Sequence, residues 1–491
     1  MRQIPFVAFI LFTALAFSIF SCRKQDEIST NPGLKLSFSA DSVVFDTVFS
    51  SLGSATRQLM IYNNNNERLN ISSIRLGNAA ASPFRINVDG KPGTQLYDIE
   101  IPGNDSLFVF LRVTIDPADQ QNPFVIEDDL VVETNGNSQQ VKLIAWGQDA
   151  VYIVADQLIN SSFPMYKIVA DSLETTIWTA EKPYVVYGYA LIDSYGTLQI
   201  EAGTQVHFHD KSGLWSFSEG QLIVNGTAEA PVLFRGDRLE SSEGLDYRNV
   251  PGQWDRIWLM EARAGADHQI SHAIIRNGFI GIQAESFLKP TEAALRIDNT
   301  IIENHTGIGI FSRLYAIEAK NLAVANCGTY GMALTGGGDY RFVHTTIANN
   351  WSLSVRNNPS LFFNNFLLDS LENPIQVPFQ FEMGNSIIYG ANREEFNYEF
   401  VAGADTNYLF ENCLIKTERR LADWPGFVNS IANENPLFKD YENLNYRPDT
   451  LSPAIGKGKI EFAQEIPFDL DGISRTERPD LGAYQFVPAN R

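Results

Sequence analysis

A loose repeat of 22–27 residues constrains this chain more than any other feature of its sequence. Four seven-residue segments align without gaps: His272–Gly278, Asn299–His305, Asn321–Cys327 and His344–Asn350. Their fourth position is Ile275, Ile302, Val324 or Ile347, always β-branched, and their sixth is Asn277, Asn304, Asn326 or Asn349. Upstream, Gly196–Phe208 is echoed by Gly220–Phe234, with Leu198 and Leu222 24 residues apart; downstream, Asn385–Ile388 and Asn412–Ile415 repeat the motif weakly. Short β-branched strands at this period, with no helix in the repeat, predict a parallel β-solenoid, because each turn buries its apolar face only by stacking on the next. Leucine-rich repeats share the period, but their Leu-x-x-Leu-x-Leu frame is absent.

Strand parity then sorts the side chains. The fourth and sixth positions share a side, so Asn277, Asn304, Asn326 and Asn349 are expected to point inward. Stacked at ~4.8 Å they would form an asparagine ladder with a structural role. The first position reads His272, Asn299, Asn321 and His344, a polar outward strip that is the candidate ligand-binding surface. The fifth reads Arg276, Glu303, Ala325 and Ala348. His272 and His344 would stand three turns apart, ~14 Å, too far for one dyad. No acidic cluster recurs at a fixed column, so no catalytic residue and no calcium-lyase site is assigned. His207 and His209 share a strand face but lack a third zinc ligand. Trp215, Trp254, Trp258 and Trp351 read as core or rim packing. There is no nucleophile elbow, phosphate loop or dinucleotide fingerprint, and no cofactor or metal is expected.

Residues 34–147 have a different character. Period-2 runs such as Ser42–Phe49, Arg57–Tyr62 and Leu107–Ile115 alternate with turn formers such as Asn63–Asn66 and Asn135–Asn137. Val141, Leu143 and Ala145 share one face. Seven or eight such strands predict an antiparallel β-sandwich, and the segment is similar to immunoglobulin-like modules of bacterial surface proteins. Residues 148–182 read as a connector and N-terminal cover, with the solenoid proper over 183–426.

The repeat resembles the right-handed parallel β-helix superfamily, including pectate-lyase-like proteins, which implies an all-β chain with that fold. The ending strengthens the resemblance: Asn435–Phe438, Leu451–Gly458, Asp469–Gly472 and Arg478–Tyr484 look like the closing segment of secreted bacterial β-helix proteins. Residues 427–491 are therefore expected to cover the last turn, whose strand edges would otherwise template aggregation. Asp469–Gly472 resembles the start of a calcium loop without its later ligands.

The N-terminus predicts location. Arg2 precedes the uncharged run Ile4–Phe20, and Ser21-Cys22 follows it directly. This resembles a lipoprotein signal (residues 1–21) with lipidation at Cys22, and residues 22–33 read as a tether. Arg23–Glu27 is similar to the export signal of Bacteroidota surface lipoproteins. The resemblance implies a lipid-anchored protein of the outer membrane, facing the cell exterior. With Cys22 lipidated, Cys327 and Cys413 remain, and their separation along the stack predicts two buried free thiols. Six Asp-Ser/Thr-apolar triplets, at Ser42, Thr47, Ser106, Ser172, Ser370 and Thr450, are similar to the O-glycosylation sequon of Bacteroidota exported proteins. A net charge of −21 excludes a nucleic-acid partner, which needs a basic footprint. The expected function is noncatalytic glycan binding or surface interaction, with polysaccharide the expected partner besides the membrane. The alternative is a polysaccharide lyase or glycoside hydrolase.

Overall fold

The computed structural model describes residues 27–49, 56–114, 124–242, 245–287, 291, 293–403 and 405–488. Cys22 and the leader lie outside them. The described chain is almost entirely β and divides into two compact units, Met1–Asp149 and Ala150–Arg491. Among the described residues no helix is long and apolar enough to cross a membrane.

The first unit contains two five-stranded sheets. Alternation built them: in Arg57–Asn63 the inward residues Leu59 and Ile61 are fully buried, and in Asn137–Gln148 so are Val141, Leu143 and Ala145. Both sheets contribute to one core with Ile71, Phe84 and Val109. The sandwich is not wholly antiparallel, because Asn137–Gln148 runs parallel to Ser42–Phe49. Strands distant in sequence can pair in either sense, a choice that alternation alone does not encode.

The second unit is dominated by a 25-stranded parallel sheet in which each strand bonds to one about three strands further on. Tyr184–Tyr187 pairs with Gln205–Phe208, Tyr189–Ile192 with Gly213–Ser216, and Thr197–Glu201 with Gln221–Asn225. Three strands thus complete one circuit of the chain. The repeat register is the pairing register: Leu198 stands opposite Leu222, and Ile275, Ile302, Val324 and Ile347 form one fully buried column. Aromatic rings fill the interior elsewhere, as in the stack of Phe208 on Trp254 (4.5 Å).

Two boundaries differ from the sequence expectation. Residues 148–182 are no simple connector, since Val151–Val154, Tyr166–Ala170 and Thr175–Trp178 pair in parallel with the next three strands. Their half-exposed apolar residues blur the period-2 signal. The sheet also continues past 426, through Phe427–Val428 and Ile431–Ala432.

The closing segment corrects a third expectation. It packs along the flank of the circuits: Tyr446, Ala483 and Tyr484 cluster with Ala323, Ala325 and Ala348, while Ala454 and Leu481 cluster with Ile387 and Leu414. The alanine column is the physical reason, because methyl side chains let a second layer of chain approach the sheet. Asp469 pins that layer by accepting from the backbone N–H groups of Asp471 (2.9 Å), Ile473 (2.7 Å) and Gln485 (2.6 Å). These bonds engage both of its oxygens, and among the described residues no His/Cys/Asp/Glu group is arranged to hold a metal.

Candidate functional site

The first-position column turns out to be a row of corners. His272, Asn299, Asn321 and His344 all have positive φ (49°, 49°, 58° and 52°), as do Asn385 and Asn412 further on. Asparagine tolerates this left-handed conformation better than most residues, which accounts for its recurrence. The column is no open polar strip. Asn321 and His344 are fully buried, and the closing segment uses them. Arg475 Nη2 donates to Asn321 Oδ1 (2.9 Å), and His344 Nδ1 lies 3.2 Å from the Gly482 carbonyl. Asn385 Nδ2 donates to His344 Nε2 (3.0 Å), so His344 carries its proton on Nδ1. Asn321 Nδ2 also donates to Asn299 Oδ1 (2.7 Å). His272 and Asn299 remain half-buried, His272 bonded to Ser271 (2.9 Å). Parity placed these residues on the outer edge without seeing the layer above them.

The sixth-position column forms a ladder over three of its four residues. Asn304 Nδ2 donates to Asn277 Oδ1 (2.8 Å) and Asn326 Nδ2 to Asn304 Oδ1 (2.9 Å). Asn349 departs from it: its Oδ1 accepts from the Cys327 N–H (3.0 Å), and it lacks the positive φ of the other three. Its backbone conformation aims the amide differently. The ladder's first two amides also donate to the Arg248 and Asn249 carbonyls (2.7 and 2.8 Å).

His207 and His209 do not share a ligand. His207 is buried with Nδ1 near the Gly236 carbonyl (3.3 Å), whereas exposed His209 pairs with Asp237 (2.8 Å) and stacks on Tyr187. Trp215, Trp254 and Trp351 are buried; Trp258 is half-buried. Cys327 and Cys413 are buried and free, and burial pushes each thiol up to about 12, which makes them inert. Ser42, Ser172, Ser370 and Thr450 are exposed and Ser106 is half-buried. The Thr47 side chain lies outside the described residues.

A cavity of about 620 Å³, open to solvent, lies elsewhere, lined by Tyr189, Trp258 and Gln283 among others. Its wall is a chain of bonded side chains. The Tyr189 hydroxyl donates to Asp255 Oδ2, and Arg256 Nε donates to Asp255 Oδ1 (2.9 Å). Arg256 also donates to Gln283 Oε1, whose Nε2 donates to Glu285 (2.6 Å), which accepts in turn from Trp258 Nε1 (2.8 Å). Burial and then Asp255 hold the Tyr189 hydroxyl protonated, as its donor role requires. Phe279 stands at the rim, 47% exposed, with Arg256 5.7 Å from its ring centre. It is fixed there by its N–H bond to the Trp254 carbonyl (2.8 Å). Gly213 is required beneath, because a Cβ there would meet the Arg256 carbonyl and the Tyr189 ring. Exposed Asp210 and Lys211 complete the mouth.

Sequence reasoning missed Asp255, Arg256 and Gln283. The signal was present in Gln253–Met260, where Asp-Arg sits between two tryptophans, but its mixed polarity read as a partly buried strand.

No protein-family model and no curated protein matches this chain. A solved complex of XylC with xylose is 8% identical, over 91% of this chain and 88% of that one, with a TM-score of 0.29. The catalytic domain of a GH87 alpha-1,3-glucanase with nigerose is 11% identical over 78% and 87%, at 0.19. A Porphyromonas gingivalis protein of unknown function is 13% identical over 27% of this chain, which spans 57% of it, at 0.18. Likenesses this weak carry no argument about function.

Proposed function

We propose that this chain is a noncatalytic glycan-binding lipoprotein of the outer surface, lipidated at Cys22. Its body is a right-handed parallel β-helix, following an immunoglobulin-like sandwich. The observation that carries the binding reading is the cavity wall. Tyr189, Asp255, Arg256 and Gln283 are pre-oriented by one another beside the exposed ring of Phe279. Sugars offer hydroxyls to such planar polar groups and apolar faces to such rings. The commitment of Asp255 to two donors leaves it poorly placed to shuttle a proton, which argues against catalysis. The enzyme alternative has one supporting observation, the second carboxylate Asp210 at the same mouth.

A glycan array probed with the full chain tests this reading, with the captured sugars then examined for shortened or unsaturated products. Retention of an intact glycan is expected. Retention of none, or turnover of the bound sugar, contradicts it. The triplets at Ser172, Ser370 and Thr450 are the best candidates for O-glycosylation. Each opens a turn closed by a backbone bond from the residue three after Asp171, Asp369 or Asp449, with an exposed leucine beside the hydroxyl. Intact-mass measurement of the native protein checks them, and unmodified peptides at all three would refute the assignment.

A further inference from the structure

A second column of outward side chains crosses the circuits away from the cavity. His207 pairs in register with Arg235, and Phe234 with Ile275, so Arg235 and Arg276 stand side by side on neighbouring turns, ~4.8 Å apart along the backbone. Arg276 in turn stands opposite Glu303. Arg235 is only 9% exposed, and its Nε and Nη2 are buried without a hydrogen-bond partner. The buried Nε of Arg276 also lacks one, although its Nη2 reaches Asn249 Oδ1 (3.1 Å) and Glu303 (3.4 Å).

Among the described residues the surrounding charges do not balance this. Asp246 on the covering loop attracts Arg235 but is bonded elsewhere, accepting from the Arg248 N–H (3.0 Å), Arg248 Nε (2.8 Å) and Asn249 Nδ2 (3.2 Å). His207 contributes no charge, because burial and Arg235 push it down to about 4. Glu303 serves Arg276, and burial raises its pKa, which weakens even that compensation. Burial, then the charges of Arg276 and Arg248, push Arg235 down to about 10. Two adjacent guanidiniums with three buried nitrogens lacking a hydrogen-bond partner, and only Glu303 paired to one of them, form a positive centre with too little compensation, which proteins ordinarily avoid.

We infer that Arg235 and Arg276 together bind a small oxyanion: a sulfate, a phosphate or the carboxylate of a sugar acid. Such a group accepts charge-assisted hydrogen bonds from both planes at once and supplies the missing negative charge. This site is independent of the cavity, which neither arginine lines.

Calorimetric titration of the full chain with sodium sulfate, inorganic phosphate and glucuronate, at constant ionic strength in chloride, tests it. Saturable one-to-one binding of at least one anion is expected, weakened about tenfold or more in Arg235→Met. Without anion, Arg235→Met should melt no lower than wild type, because it removes an unpaired buried charge; a purely structural arginine would give the opposite. Glucuronate binding would assign the site to an acidic sugar, and binding of inorganic ions alone to a free anion; both uphold an oxyanion site. No saturable binding of any of the three overturns it, as does equal binding in the variant. Should Arg235→Met not fold, Arg276→Gln carries the same comparison.

Discussion

Corner residues decide whether this chain can wind. Asn304 shows both demands at once: it has φ near 62°, donates to Asn277 and the Asn249 carbonyl, and accepts from Asn326. Asn304→Ala should cost ~2–4 kcal/mol, combining lost buried hydrogen bonds with left-handed strain. Asn304→Gly, free of the strain, should cost less, and urea unfolding of the pair measures the difference. Buried histidines, at a corner like His344 or within strands like His207, bring a pH dependence. Burial holds His207, His268 and His305 at about 4, and holds His344 well below its ordinary 6.5. In the unfolded chain these imidazoles take up protons below about pH 6.5, while in the folded chain they stay neutral. The unfolded state then binds more protons, so stability is full above that pH and falls as pH drops, by ~1.4 kcal/mol per unit for each histidine. His344→Asn keeps the residue type used at neighbouring corners and should flatten that slope by one histidine's share between pH 6 and 5. An unchanged slope would remove His344 from the account. The asparagine columns were legible in the sequence because four turns share one gapless register. What the first column faces was not, since a covering layer from residues 138 and 154 positions away leaves no local signature.

Among the elements, the closing segment is the least anticipated. It lies along the flank because Ala323, Ala325 and Ala348 leave room for Tyr446 and Tyr484. Ala348→Leu should therefore loosen this layer by ~1–3 kcal/mol, read as faster proteolysis within 435–488 while the circuits stay protected. A variant as resistant as wild type would mean the layer is held elsewhere. A second device fixes the loop after Asn349. Fully buried Glu395 takes Arg356 Nη1 and Nη2 (2.9 and 2.6 Å), the Ser360 hydroxyl (2.6 Å) and the Asn392 N–H (2.7 Å). Removing one partner of such a pair leaves a buried charge, so Glu395→Gln should cost ~3–5 kcal/mol in denaturant unfolding. Neither device could be read from spacing, because Arg356 and Glu395 belong to different circuits and carry no motif.

At the scale of the whole molecule, sequence periodicity foretold a stacked parallel-strand body following a sandwich along the chain, because both rest on patterns that successive strands repeat. The cavity was not foretold. It arises where the Ile257–Leu259 strand brings Asp255 and Arg256 against Gln283 on the next circuit and, across Gly213, against Tyr189 two circuits back, a meeting visible only once the register is known. The charges of its inner wall, Asp255 and Arg256, are paired with each other, so the acidity of the chain says little about what enters it. The central claim is that this cavity holds a glycan and leaves it intact. Titration of an array-retained oligosaccharide into wild type and Phe279→Ala, with the sugar recovered and weighed by mass spectrometry, tests that claim most directly. The account predicts saturable binding with the sugar recovered whole, and about tenfold weaker binding for Phe279→Ala at an unchanged melting temperature. Undiminished binding by Phe279→Ala, or a shortened sugar recovered from wild type, would contradict it.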